Sequence, residues 1–157
     1  MAKLFPEKGD PYFYLGSSFL EAGQQNEALS AFTQAKAKDP KDHRIYYLTG
    51  LIHYNQGQFS KADDLFQTSV ALNPHFVFSY QHLAKISLKK GDLDSALKYA
   101  LRAVEVDATF PPPYYLLGQL YLRLQKTDEA NRALEQFQRL QASAPNREYR
   151  VFTVASK

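Results

Sequence analysis

The chain has 157 residues, 45% of them hydrophobic and 22% charged, a composition that predicts one globular unit rather than two sizeable domains. Nineteen Lys and Arg against sixteen Asp and Glu give a formal net charge of +3, which is too small to indicate nucleic acid as a partner. No run approaches the roughly 18 apolar residues of a membrane span, and the lack of cysteine excludes disulfides and thiolate metal sites. We therefore expect no membrane insertion. Because no secretory signal opens the chain, a cytoplasmic location is the default expectation.

A period of 34 residues runs through the sequence without a gap. Small residues fill two of the aligned columns: Gly16, Gly50, Ala84 and Gly118, and then Ala28, Ala62, Ala96 and Ala130. The period defines four units, at residues 9–42, 43–76, 77–110 and 111–144, which together form a single domain.

The head, residues 1–8, precedes the first unit. Pro6 lies 34 residues before Pro40, and Leu4 lies 68 residues before Leu72. The head is therefore interpreted either as the end of a preceding repeat in a longer protein or as an unrelated N-terminal arm.

Each unit is predicted to hold two helices, because its apolar residues recur at spacings of three and four. The turn between the two helices is marked by a glycine in three units, whereas Gln125 takes that place in the fourth. Pro40 and Pro74 are expected to end the second helices of the first two units, since proline cannot continue the helical hydrogen-bond ladder.

The order of residues in the unit resembles the tetratricopeptide repeat, with its clearest copies at residues 12–16 and 114–118. The resemblance covers residues 9–144. Departures from the repeat pattern are Thr49, Ala84, Ala100, Ala108 and Ala142. The resemblance implies an all-α fold, a right-handed superhelical α-solenoid of antiparallel helix hairpins. It also implies that the first helices line a concave groove that holds peptides or protein segments.

The tail, residues 145–157, begins with Pro145, which ends any helix that reaches it. Residues 148–154 then alternate in a strand-like way. Three interpretations stay open: a disordered tail, a lid over Leu134, Phe137 and Leu140, or a contact to another molecule.

The sequence does not support catalysis. It contains no hydrolase elbow, no phosphate-binding glycine loop and no His-Glu-x-x-His pair. The four histidines, His43, His53, His75 and His82, form no pair at a spacing of three or four, so no metal site is expected. We therefore predict a protein that is not an enzyme, with no catalytic residues and no cofactor.

Candidate groove residues come from a projection of the first helices, in which positions one turn apart and off the packing stripe face the groove. The predicted groove residues are Phe13, Ser17, Tyr47, Leu51, Tyr54, Asn55, Gln81, Lys85, Lys89, Tyr115, Gln119 and Arg123. The same projection adds Leu20, Glu21, Leu88 and Leu122. This surface is aromatic towards the N-terminal repeats and cationic further along, which predicts an extended peptide ligand with apolar and acidic anchors.

Within the resembled family, chaperone-tail binders hold a terminal carboxylate with lysine, asparagine and arginine from three consecutive first helices. The corresponding positions here hold Phe13 and Ser17, then Leu48, then Phe78 and His82, so that kind of clamp is not predicted.

The sequence thus predicts a non-enzymatic protein–protein interaction module, a scaffold or adaptor whose partner is a protein or peptide and not nucleic acid. The alternative is a structural or self-assembling segment of a larger protein, which associates with itself through its end repeats or its tail.

Overall fold

The computed structural model of the chain describes residues 10–143. The predictions for the head and for the tail therefore lie outside the described residues. The described part is all-α and contains eight helices. Their bounds are α1 Pro11–Glu21, α2 Gln25–Lys38, α3 His43–Asn55, α4 Phe59–Leu72, α5 Val77–Lys90, α6 Leu93–Val106, α7 Pro112–Arg123 and α8 Thr127–Ser143.

The helix ends follow from local sequence. Helix α1 starts with Pro11, and the Asp10 carboxylate accepts a hydrogen bond from the Tyr12 backbone N–H at 2.8 Å. Helices α2 and α4 end two residues before Pro40 and Pro74, as predicted. Each predicted 34-residue unit accordingly holds one pair of helices.

Left-handed backbone conformations make the turns between paired helices. Gly23, Gly57 and Gly91 have φ of 77°, 74° and 78°. Gln125 occupies the same position in the last unit and adopts φ of 58°, although an L side chain is strained there. The turn geometry is therefore kept in all four units, with and without glycine.

Close approach within each hairpin explains the column of small residues. A Cβ built on Gly16 would lie 2.6 Å from the Phe32 ring, and one built on Gly50 would lie 2.9 Å from the Phe66 ring. In the third unit Ala84 replaces the glycine, and the facing position holds the small residue Ala100. The facing pair is thus a glycine with a large residue in three units and two alanines in the third unit.

The hairpins stack in chain order, with α4 packed on α5 and α6 packed on α7. The core is aromatic in the N-terminal part, where Phe13, Phe32, Tyr47 and Phe66 belong to one cluster of buried residues. Within residues 10–143, no helix is both long enough and apolar enough to cross a membrane. The stack places the first helices α5 and α7 in contact with each other.

Candidate functional site

A concavity of about 620 Å³ lies over helices α5, α7 and α8. Its lining residues come from both first helices of the last two hairpins, from α8 and from the end of α3. They are Tyr54, Gln81, Lys85, Leu88, Lys89, Pro112, Tyr115, Leu116, Gln119, Arg123, Phe137 and Gln141. We refer to this concavity as the groove.

One part of the groove is an aromatic platform made by Tyr115 and Phe137. Their ring centroids lie 5.4 Å apart with the planes tilted by 44°. The side of the platform is extended by Pro112 and Leu116, which also line the groove. Because Tyr115 is exposed, the platform offers apolar area that a partner's side chain can bury.

The other part of the groove is cationic. Lys85, Lys89 and Arg123 line it, and no Asp or Glu is among the lining residues. Elsewhere in the described chain, four cations are paired with carboxylates, whereas others on the exposed surface are not: the pairs are Lys38 with Asp10, Arg44 with Asp42, Lys90 with Asp63 and Arg102 with Glu105. The three groove cations have no such partner within the described residues, so the groove carries an unbalanced positive charge.

The two lysines of α5 differ in their surroundings. Burial lowers the pKa of the Lys85 ammonium, because desolvation disfavours its charged form. Lys89 is exposed, and its ammonium lies 5.2 Å from the centre of the Phe59 ring. A negatively charged group near Lys85 would restore part of the solvation that this side chain has lost.

Gln81 provides an unused hydrogen-bonding group at the base of the groove. It is 6% exposed, and its side-chain oxygen is buried with no hydrogen-bond partner. A buried amide oxygen without a partner costs free energy, on the order of 1–3 kcal/mol. A donor on a bound partner would remove that cost.

A layer of rings supports the groove from below. His82 lies 5.0 Å from Phe66, 5.3 Å from Tyr54 and 5.7 Å from Tyr47, measured between ring centroids. Its Nδ1–H donates to the Phe78 carbonyl oxygen at 2.9 Å, because a carbonyl can only accept. Tyr54 contacts this layer and also lines the groove, which connects the two.

Tetratricopeptide repeat family models match residues 13–76, 79–110 and 111–143. The chain belongs to the tetratricopeptide repeat family. A curated relative is BBSome complex member BBS4 of Bos taurus, which is 32% identical over 123 residues. The match takes in 78% of this chain and 24% of BBS4, so the chain spans about a quarter of that relative's length.

Solved structures of similar fold include MamA, with a TM-score of 0.77, 20% identity, and coverage of 85% of this chain and 78% of MamA. A thermophilic tetratricopeptide repeat protein of Thermus thermophilus, TTC0263, gives a TM-score of 0.68 at 24% identity, over 83% of this chain and 73% of that protein. At such identities the likeness shows the fold alone. Fold and family together make the chain an α-solenoid of helical repeats and a protein-interaction scaffold.

Seven of the predicted groove residues line the groove of this tetratricopeptide repeat protein: Tyr54, Gln81, Lys85, Lys89, Tyr115, Gln119 and Arg123. Leu88, from the same projection, lines it as well. The remaining predicted residues lie outside it.

Four of the remaining residues are buried in the core, so their assignment to an open surface is corrected: Phe13, Leu20, Tyr47 and Leu51. The Phe13 ring packs on the Phe32 ring at 6.1 Å, and the Tyr47 ring packs on the Phe66 and Phe76 rings at 5.8 and 5.0 Å. Leu51 is 4% exposed. These side chains have no surface to offer a ligand in this conformation.

The other four, Ser17, Glu21, Asn55 and Leu122, are not among the residues that line the concavity. The Ser17 hydroxyl donates to the Phe13 carbonyl oxygen at 3.0 Å, and Asn55 is exposed beyond the groove lining. Ligand binding by any of the twelve predicted groove residues remains a prediction.

The burial of one column explains why the projection failed there. The four aligned residues of this column differ in their exposed fraction: Phe13 is 1% exposed, Tyr47 0%, Gln81 6% and Tyr115 46%. The column faces the next first helix, and it opens only in the last hairpin, which has no further helix beside it within residues 10–143. A projection of a single helix cannot include that neighbour.

Four lining residues were missed: Pro112, Leu116, Phe137 and Gln141. Phe137 carried a signal, because it is aromatic in a column that otherwise holds Ala35, Ser69 and Ala103. Those three small residues are buried, whereas Phe137 is half-buried and meets Tyr115 in the groove. A large residue in a small-residue column of the last unit therefore marks the surface.

No group of three or more His, Asp or Glu residues in the described part of the chain is arranged to hold a metal ion.

Proposed function

We propose that this tetratricopeptide repeat protein binds an extended segment of a partner protein in the groove over α5, α7 and α8. The observation that carries the proposal is the exposed Tyr115 ring, which rests on Phe137 inside a concavity that is open to solvent. Aromatic rings in concave sites contribute much of the binding energy at protein interfaces. A segment laid along the groove can bury this platform without any change in the repeat stack.

The proposed role is that of a non-enzymatic scaffold or adaptor. BBS4 is by its name a member of the BBSome complex, and the family likeness supports a protein as partner of this chain too. Because the chain spans about a quarter of that protein, the assembly in which it works is itself part of the proposal.

The proposal is tested by selecting random 12-residue peptides, displayed on phage, against the intact chain. We expect enriched peptides whose binding is weakened about tenfold or more by Tyr115→Ala, since that change removes the exposed half of the platform. Leu15→Ala is the matched control, because Leu15 is an equally exposed apolar residue on α1, outside the groove.

Two results would contradict groove binding. One is that no peptide is enriched in repeated selections. The other is that enriched peptides bind the Tyr115→Ala and Leu15→Ala variants equally well. Circular dichroism of both variants, compared with the unsubstituted chain, checks that helicity is unchanged.

Self-association through the end repeats, the alternative drawn from the sequence, also remains a proposal. Sedimentation over a hundredfold range of concentration tests it. A constant monomer mass would exclude self-association in that range.

A further inference from the structure

The charges of the groove indicate the chemistry of its ligand, and this inference rests on the proposed function. We propose that the segment bound in the groove is acidic, with its carboxylates at Lys85, Lys89 and Arg123 and an aromatic or large aliphatic residue on the Tyr115–Phe137 platform. The charged residues lie towards the C-terminal ends of α5 and α7, whereas the platform residue Tyr115 lies near the start of α7.

The first support is the unbalanced positive charge of the groove. Three cations and no carboxylate line one concavity. Like charges placed together without counter-charges repel each other. A ligand that supplies two or three carboxylates would relieve that repulsion and, in the partly desolvated space around Lys85, would form stronger pairs than on an open surface.

The second support is Gln81, whose buried side-chain oxygen has no partner although the residue lines the groove. This oxygen is buried, so a turn of the Gln81 side chain toward the groove is what would present the acceptor to a donor on the ligand. Main-chain N–H groups of an extended peptide are such donors, whereas a carboxylate or a phosphate is not. Gln81 therefore favours a peptide over a free anion.

The spacing of the two parts sets a register for the ligand. Tyr115 and Arg123 are eight residues apart on α7, which corresponds to about 12 Å along a helix. An extended peptide covers that distance with about four residues. We expect the apolar anchor of the ligand to lie about four residues from its acidic residues.

Charge also argues against other occupants. The tail of this chain, residues 145–157, holds three basic residues and one acidic residue, so the groove would repel it. Nucleic acid is disfavoured because three cations neutralise few phosphates, and the chain as a whole carries a net charge of only +3. A second copy of the chain would have to bring its own acidic surface to the groove.

The test uses the peptides enriched in the phage selection, resynthesised with blocked termini so that all their carboxylates come from Asp and Glu. Affinity for the intact chain is measured by fluorescence anisotropy in 50 and 300 mM NaCl. We expect an excess of Asp and Glu about four residues from an apolar anchor, and weaker binding in the higher salt. Replacing the carboxylates by amides should weaken binding at least tenfold.

Two triple variants then place the effect in the groove. The groove variant removes the three groove cations by the substitutions Lys85→Gln, Lys89→Gln and Arg123→Gln. The control variant removes three exposed cations elsewhere by the substitutions Lys61→Gln, Lys98→Gln and Arg132→Gln. Both variants change the net charge equally. We expect the groove variant to bind at least tenfold more weakly and the control variant to stay within twofold of the unsubstituted chain. If the groove cations only stabilise the C-terminal ends of their helices, the groove variant loses stability and keeps its affinity for the peptide. That result overturns the inference.

Three further outcomes are distinguishable. If the enriched peptides show no excess of Asp and Glu but their binding is lost in the Tyr115→Ala variant, the inference is overturned and the proposed function stays intact. Failure to enrich any peptide overturns both. A single-stranded oligonucleotide or a second copy of the chain that displaces the acidic peptide would show that the charge serves another partner, and would overturn the assignment to a peptide.

Discussion

His82 lies inside the core, with Tyr47, Tyr54 and Phe66 around its ring and Phe78 accepting its Nδ1–H. Burial lowers its pKa to about 4, and the nearby positive charge of Lys85 acts in the same direction, against the opposing hydrogen bond to Phe78. In the unfolded chain a histidine has a pKa near 6.5. The unfolded state therefore binds a proton more readily than the folded state between these two pH values.

The difference in the pKa of His82 predicts a stability that depends on pH. The free energy of unfolding should be highest above about pH 6.5, fall as the pH drops, and lose on the order of 3 kcal/mol from this residue by about pH 4. Half-buried His43, whose pKa is also lowered by burial, acts in the same direction. Urea unfolding at pH 7.5, 6.0 and 4.5 measures the effect.

Substitution separates His82 from the other groups that titrate in this range. His82→Phe keeps a ring in the cluster and cannot be protonated, so its stability should change much less between pH 7.5 and 4.5 than that of the unsubstituted chain. His75→Gln, at an exposed histidine, is the control and should keep the full dependence. If the free energy of unfolding depends on pH equally in the unsubstituted chain and in the His82→Phe variant, the assignment of the pH dependence to His82 is wrong.

At the scale of single elements, the turn between α7 and α8 differs from the other three hairpin turns. Gln125 holds φ of 58° where Gly23, Gly57 and Gly91 hold 74° to 78°. A non-glycine residue in this region costs roughly 1 kcal/mol because its Cβ approaches the backbone. The cost is tolerated because α7 and α8 pack together on both sides of the turn.

We expect Gln125→Gly to raise the free energy of unfolding by about 0.5–1 kcal/mol, the relief of strain being partly offset by the greater freedom of glycine in the unfolded chain. Gly57→Ala is the matched opposite change, since its Cβ would meet no atom within 4 Å and only the backbone is strained. It should cost about 1 kcal/mol. Urea unfolding of both variants measures the effect, and a loss of stability in Gln125→Gly would show that the glutamine side chain makes a compensating contact.

These elements were predictable from the sequence because their signals are local. The glycine column marked the turns, and Pro40 and Pro74 marked the ends of α2 and α4, since each acts through the backbone of its own few residues. The projection also named seven residues that line the groove, because side chains on one face of a helix recur at spacings of three and four.

The burial of Tyr47 could not be predicted in the same manner. A single-helix projection places Tyr47 and Tyr115 alike, yet one is buried and the other is exposed. The difference comes from Phe76, which precedes α5, and from Phe78 on α5, whose rings lie 5.0 and 6.1 Å from Tyr47. Contacts between repeats depend on the stacking geometry, which the period alone does not contain.

At the scale of the whole molecule, the stack is unevenly built. The cluster around α1–α5 contains large rings such as Phe13, Phe32, Tyr47 and Phe66, whereas the buried members of the cluster that runs from α5 to α8 are alanine and leucine. Helix α8 contributes only Ala130 and Ala133 as buried residues. In repeat arrays each repeat is stabilised mainly by its neighbours, so such a gradient of packing becomes a gradient of local stability.

The gradient predicts which helices open first, as hydrogen exchange followed by mass spectrometry would show. Backbone amides of α3 and α5 should exchange slowest, and those of α8 at least tenfold faster than α5, which corresponds to about 1.4 kcal/mol or more in the free energy of opening. The reason is burial: α5 has nine buried residues, whereas α8 has two. Because α8 supplies Phe137 to the platform, its opening would also dismantle one wall of the groove. Uniform protection from α1 to α8 would instead show that the four hairpins unfold as one unit despite their uneven cores.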